Sequence, residues 1–253
     1  MQKIKLAIFD LTDCEGCEIQ FAALRELEDF KSIEKYFDIS NWRLLSDAAS
    51  ESTFDVVIIE GSPVTKEEQK VLKKLREKSK YLIALGACAG IGGIPSILKE
   101  KDREKLTRYV YGTQYRSKAI DAKPLNFYVD VDYYIPGCPA NPHEIKQVLT
   151  DLAYGKPLKP NYFSVCYECK AKDNNCLLIN ENKPCLGAIT KGGCGAICPS
   201  NGLKCYGCWG LKRDANVPGM IISLKKHGYN KHQIKKIMDI FWEETEQFQK
   251  YLK

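Results

Sequence analysis

The chain has 253 residues, of which 44% are hydrophobic and 28% charged, ordinary globular values that exclude a wholly disordered polypeptide. Its 38 basic and 32 acidic side chains give a formal charge of +6, and no apolar run approaches the roughly 20 residues that cross a bilayer. The first ten residues read directly as a strand without the elements of an export signal, so a cytoplasmic location without membrane insertion is expected.

Through residue 155 the apolar periodicity switches between 2 and 3.6, the pattern of strands alternating with helices. A strand is predicted over Ile4 to Phe9, then a helix after Cys17 burying a stripe of Phe21, Leu24, Leu27 and Phe30. The β-branched run Asp55 to Gly61 reads as a buried parallel strand, and Thr65 as the cap of a helix reaching about Ser79. Tyr81 to Gly86 is the next buried strand, followed by a glycine-rich loop from Ala87 to Gly93. Val131 to Ile135 forms a further strand ending at Pro136-Gly137-Cys138-Pro139, and Asn141 and Pro142 open a helix to about Tyr154. The whole is an α/β doubly wound parallel sheet.

Residues 156 to 210 change character, with eight cysteines among glycine, proline and asparagine and no stretch that could bury a conventional helix or strand face. Metal or cross-links must hold such a segment. From Val217 to Lys253 helical spacing returns, and two terminal helices covering the core are expected from Ile221, Leu224, Ile234, Ile237, Ile240, Phe241 and Phe248. The division is therefore 1–155 and 156–253. Charge follows it, with 22 basic and 24 acidic groups in the first part against 16 and 8 in the second.

Disulfides are rare in a reducing cytoplasm outside hyperthermophiles, so twelve cysteines invite division into sets of four, the number that tetrahedral zinc and cubane iron-sulfur clusters each take. Cys14, Cys17, Cys88 and Cys138 each follow a predicted strand, and open parallel sheets gather ligands beyond the carboxyl ends of their strands. Gly16, Gly90, Gly92, Gly93 and Gly137 would let backbone approach a cluster there. The second region supplies Cys166, Cys169, Cys176, Cys185, Cys194, Cys198, Cys205 and Cys208, with two C-x-x-C pairs bracketing the other four. Zinc ribbons use comparable spacing, but with hairpin strands that are absent from this reading, and Cys198-Pro199 is like the end of a bacterial ferredoxin run. Two cubanes are favoured over two zinc ions. No Walker loop or Gly-x-Gly-x-x-Gly follows a strand, and the basic tail scatters its lysines without stacking aromatics, so neither nucleotide nor nucleic acid is an expected partner.

Taken together, Cys14-Glu15-Gly16-Cys17, Gly86-Ala87-Cys88-Ala89 with Gly92-Gly93, and Pro136-Gly137-Cys138-Pro139 resemble the small subunit of nickel-iron hydrogenases over nearly the whole chain. The related 20 kDa quinone-reductase subunit of respiratory complex I shares the first half only, with adjacent cysteines at the first position. The resemblance implies a flavodoxin-like sheet, a small cysteine-rich iron-sulfur domain and three 4Fe-4S clusters. The proximal cluster would rest on Cys14, Cys17, Cys88 and Cys138, and the distal on Cys166, Cys169, Cys176 and Cys185. Cys194, Cys205 and Cys208 would hold the medial cluster with Cys198 as fourth ligand, an interleaved assignment of these last eight remaining open. A cysteine in place of the histidine of exported members, together with the missing export signal, points to the cytoplasmic deazaflavin-reducing, heterodisulfide-reductase-linked or sulfhydrogenase groups.

The function so implied is electron relay, with no catalytic residue on this chain. Its partners would be a nickel-iron large subunit, where dihydrogen reacts, and a further flavin or iron-sulfur subunit that accepts electrons. A relay in a complex I-like assembly without hydrogenase activity, and a zinc-stabilised binding module, are the alternative readings.

Overall fold

A computed structural model describes residues 3–26, 30–44 and 53–252. Five strands, β1 (Ile4–Asp10), β2 (Phe37–Trp42), β3 (Phe54–Glu60), β4 (Ser79–Leu85) and β5 (Tyr133–Ile135), form one sheet in the order β2-β1-β3-β4-β5. Every pairing is parallel, and the order is that of flavodoxin-like folds, with its switch point between β1 and β3. Register levels the carboxyl edge, because Asp10 lies opposite Glu60, Glu60 opposite Leu85 and Leu85 opposite Ile135. The loops bearing Cys14, Cys17, Cys88 and Cys138 therefore all leave one edge.

Strand alternation explains the burial of both faces. Leu6, Ile8, Val56, Ile58, Ile83 and Ile135 pack on one side against Phe21, Leu24, Phe30, Ile33, Ile145 and Val148. These come from α1 (Gly16–Ala22), a tight helical turn over Ala23–Glu26, α2 (Phe30–Glu34) and α6 (Pro142–Ala153). Ala7, Val57, Ile59, Leu82 and Ala84 face the other way, onto Leu72 and Leu75 of α3 (Lys66–Lys78). Each valine, leucine, isoleucine or phenylalanine among them contributes about 1.5–3 kcal/mol by leaving water. Of the predicted stripe, Phe21, Leu24 and Phe30 are buried, although two short helices replace one, and Leu27 lies outside the described residues.

Thr65 caps α3 by accepting from the Glu68 N–H at 3.1 Å, and Asn141 caps α6 by accepting from the His143 N–H at 2.8 Å, as their sequence positions predict. Three elements depart from expectation. The glycine-rich segment after β4 is a short helix, α4 (Gly86–Ile91), opened by the Ala87 N–H bonding to the Gly137 carbonyl. A longer helix, α5 (Glu100–Tyr111), follows it. The cysteine-rich region does contain helix, in α7 (Val165–Ala171) and the single turns α8 (Leu177–Asn180) and α9 (Ile197–Ser200).

Three terminal helices stand where two were expected: α10 (Val217–Lys226), α11 (Lys231–Trp242) and α12 (Glu246–Leu252). A capping box between Asn230 and Gln233 starts α11, and the Thr245 hydroxyl accepts from the Phe248 N–H at 3.4 Å to start α12. They cover the core as expected, but the core they cover is a second one. Leu224, Ile234, Met238, Phe241, Trp242 and Phe248 bury together with Leu186 and Ile189 of the cysteine-rich region and with Ala87 beside Cys88. Trp242 Nε1 donates to the Gly207 carbonyl at 2.8 Å, and Glu244 pairs with Lys99 and Lys123 of the first region. The terminal helices thus brace both cysteine-bearing parts at once.

Candidate metal centres

At the sheet's carboxyl edge, Cys17 opens α1, where Glu60 from the end of β3 accepts the N–H groups of Cys17 at 3.1 Å and Glu18 at 2.7 Å. That clamp fixes the thiol against the other two loops: the Ala140 N–H points to Cys17 Sγ at 3.4 Å, and a Cβ on Gly86 would lie 2.3 Å from the same sulfur. Cys88 has Cys138 and Cys14 as charge neighbours, and Cys17 has Cys88. The four cysteines of the first region therefore do meet. Burial, reinforced by these neighbouring groups, pushes the Cys88 thiol up to about 12 and Cys17 higher still, while Cys14 and Cys138 are exposed at the edge.

In the second region, Cys166 has Cys185, Cys169 and Cys176 as thiol neighbours, and these four line one small cavity with Lys170 and Pro199. Cys208 has Cys194, Cys138 and Cys198 around it, and Cys205 has Cys185 and Cys208. Cys185 also neighbours Cys198 and Cys205, so it stands between Cys166, Cys169 and Cys176 on one side and Cys205 and Cys208 on the other. The Cys205 N–H donates to Cys185 Sγ at 3.2 Å. Burial pushes Cys166 up to about 11 and Cys208 to about 12. The Cys138 N–H is directed at the Cys208 thiol. Cys208 thus neighbours the sheet edge through Cys138, and Cys205 neighbours Cys185.

The donor chemistry and spacing fit iron-sulfur clusters. Gly16 brings backbone close to Cys14 Sγ, where a Cβ would sit at 3.3 Å, and Gly187 does the same for Cys166 Sγ at 3.4 Å. Among the described residues no three Cys, His, Asp or Glu side chains converge on a point for one metal ion. Buried thiols that hold their protons must release them when iron binds, so loading is coupled to proton loss.

Of the other glycines singled out in the sequence, Gly90 makes room for the Tyr134 ring, Gly92 for Glu244, Gly93 for the Cys88 backbone and Gly137 for Pro139. They shape the loops rather than face a thiol. Sequence reasoning passed over three acids. Glu60 clamps α1. Glu18 is buried, donated to by Trp42 Nε1 at 2.7 Å, and raised to about 7 by burial. Glu168 accepts the N–H groups of Gly193 at 3.0 Å and Gly195 at 3.1 Å on either side of Cys194. The one available signal was Glu60, an acid closing an otherwise apolar strand at the switch point.

A level parallel edge bearing four neighbouring cysteines, continued by eight more under a helical brace, fits an iron-sulfur subunit of the oxidoreductase kind. Residues 14–152 match the family described as NADH ubiquinone oxidoreductase, 20 Kd subunit, and the chain belongs to that family. Relatives extend the likeness past that half. Sulfhydrogenase 2 subunit delta of Pyrococcus furiosus is 40% identical over 225 residues, covering 88% of this chain and 93% of its own. A subunit of the F420-non-reducing hydrogenase vhu of Methanocaldococcus jannaschii is 31% identical over 239 residues, covering 82% of each chain.

Among solved structures, an NAD+-reducing [NiFe]-hydrogenase in the H2-reduced state aligns with TM-score 0.54 and 27% identity, over 64% of this chain and 97% of that one. A [NiFeSe]-hydrogenase of Dm. baculatum aligns with TM-score 0.58 at 16% identity, over 87% and 98%, which shows the shared fold. The chain is thus similar to small subunits of nickel-iron hydrogenases. No helix of the described residues is long and apolar enough to cross a membrane.

Proposed function

We propose that the chain is the electron-relay subunit of a cytoplasmic nickel-iron hydrogenase, holding three 4Fe-4S clusters and no catalytic residue of its own. The observation that carries this reading is the succession of neighbouring thiols, joined at Cys138 to Cys208 and at Cys185 to Cys205. Cys14, Cys17, Cys88 and Cys138 would hold the proximal cluster within residues 1–155. Cys194, Cys198, Cys205 and Cys208 would hold the medial one, and Cys166, Cys169, Cys176 and Cys185 the distal one, within 156–253.

When bound, 4Fe-4S clusters carry one electron each at potentials set by charge, hydrogen bonding and exposure. The chain's own residues fix those conditions. Glu60 holds the Cys17 backbone in place, and the N–H groups of Ala140, Cys138 and Cys205 are aimed at the sulfurs of Cys17, Cys208 and Cys185. Such donors favour the more negative state of a thiolate. The second core, from Ala87 to Trp242, excludes water from the ground between the first and middle groups.

Partners follow from what the chain leaves uncovered. Cys14 and Cys138 are exposed, and beside the Cys88 helix the apolar Ile94 and Ile97 are exposed too. All of the described side chains on α5 are at least partly accessible, with Leu106, Tyr109 and Val110 at 49%, 87% and 63% exposure, so the helix spends an apolar stripe on nothing of its own. A large subunit seated over the sheet edge would cover both, and a flavin or iron-sulfur subunit would accept electrons beyond the group of Cys166.

Purification of the complex without oxygen from its own source tests the reading. Nickel near one per chain, with dihydrogen-dependent reduction of methyl viologen, is the expected result. Iron without nickel or dihydrogen activity would keep the relay and discard the hydrogenase, leaving a complex I-like assembly.

A further inference from the structure

Tyr134 lies between the first and middle thiol groups with an unused proton. It pairs with Ala84 across β5 and β4 and turns its ring to the sheet face opposite that of Tyr133. The ring crosses Gly90, where a Cβ would come within 2.0 Å of Cε2, and reaches Gly210, where a Cβ would lie 3.9 Å from Cε1. Gly90 belongs to α4 with Cys88, and Gly210 follows Cys208 by two residues. Only glycine at the first of these leaves the space, so the backbone is built around this ring.

Its hydroxyl is buried and meets no hydrogen-bond partner. The Gly137 N–H approaches the oxygen without reaching hydrogen-bond geometry, and as a donor it would leave the phenol proton unplaced in any case. A buried donor without an acceptor is a standing cost that a native site resolves with something. The charge neighbours of the hydroxyl are Cys208 first, then Cys17 and Cys88, and a tyrosine phenol carries its proton at neutral pH. As thiols they are poor acceptors. Ligation to iron converts a thiol to a thiolate and brings sulfide with it, supplying the acceptor that the hydroxyl lacks.

Resting on the cluster reading above, we infer that the Tyr134 hydroxyl donates a hydrogen bond to a sulfur of the middle cluster, on its Cys208 side, and raises that cluster's potential. A donor to cluster sulfur favours the reduced state, which carries the extra negative charge. The middle position would then be the easier one to reduce, drawing electrons off the first group.

Tyr134→Phe removes one oxygen and keeps the ring. In the anaerobically purified complex, redox titration followed by electron paramagnetic resonance is expected to show one midpoint falling, its reduction equilibrium weakened three- to tenfold. This is a drop of about 30–59 mV, since tenfold is 59 mV for one electron. The other midpoints and the iron content stay as in the unsubstituted complex. All midpoints unchanged at full iron content would overturn the inference and leave the cluster reading intact, whereas a colourless complex without iron would overturn both. Should Tyr134→Phe load incompletely, the unsubstituted complex decides. Its middle cluster is expected to show a hyperfine-coupled proton that exchanges in D2O faster than buried backbone N–H groups, and the absence of that proton would overturn the inference.

Discussion

Removing iron from the loaded chain is expected to unfold residues 161 to 211 while β1, β3 and β4 stay folded. The cysteine-rich segment buries one small cluster of its own, Val165, Cys169, Ala196 and Cys205, two of whose four members are thiols. Its strand pairing is limited to isolated bridges such as Ser164 with Lys191 and Thr190 with Leu211. So small a core of its own does not offset the chain entropy lost on ordering the segment, and its folding is coupled to ligation. The sheet has no such dependence, since Val57, Ile58, Ile59 and Ile83 are wholly buried among apolar neighbours. Hydrogen exchange on chelator-treated protein should show protection lost from Val165 to Leu211 and kept in β3 and β4. The terminal helices should loosen only in part, because they rest on Leu186 and Ile189 but also on Ala87 and on the Glu244 ion pairs. Full protection of the segment without iron would contradict the assignment.

The second large effect is local. Gly86→Ala should remove the proximal cluster alone, lowering iron by about one third and relay activity by at least about 100-fold. Gly86 has φ of 80°, where a Cβ costs about 1–2 kcal/mol by itself. That strain does not evict a cluster. Crowding does, because the new Cβ would lie 2.3 Å from Cys17 Sγ, and Cys17 is held by Glu60 and Ala140 and has nowhere to retreat. Gly112 separates the two causes, since it has the same φ of 80° and nothing within 4 Å of its Cβ position. Gly112→Ala should cost about 1–3 kcal/mol of stability, since its ψ of 178° adds to the strain, and no iron. Equal iron loss in both variants, or in neither, would refute the crowding argument.

Much of the sheet was legible in the sequence because β3 and β4 are buried on both faces and so read as unbroken apolar runs. β2 was not, since its Asp38, Ser40 and Asn41 break the pattern: it is an edge strand paired only with β1, and it carries an irregularity in register. The caps at Thr65 and Asn141 are local chemistry and were readable. α4 was not, since its two glycines offset the helix propensity of its two alanines and its start depends on the Gly137 carbonyl fifty residues on. The cysteines were visible as ligand candidates from their spacing and from the strands they follow. The set Cys14, Cys17, Cys88 and Cys138 was readable from those strands, whereas the neighbours of the other eight lie across loops with no periodic pattern. The buried Glu18, the half-buried Glu168 and the hydroxyl of Tyr134 carry no local pattern at all, because their surroundings in the fold, not their neighbours in sequence, give them their chemistry.

Iron, zinc and acid-labile sulfide, measured on the complex purified without oxygen and normalised to this chain, test the central claim most directly. About twelve iron and twelve sulfide from this chain are expected, over and above the iron of its partners, as three four-iron clusters require. Zinc in place of iron, with a colourless protein, would contradict it.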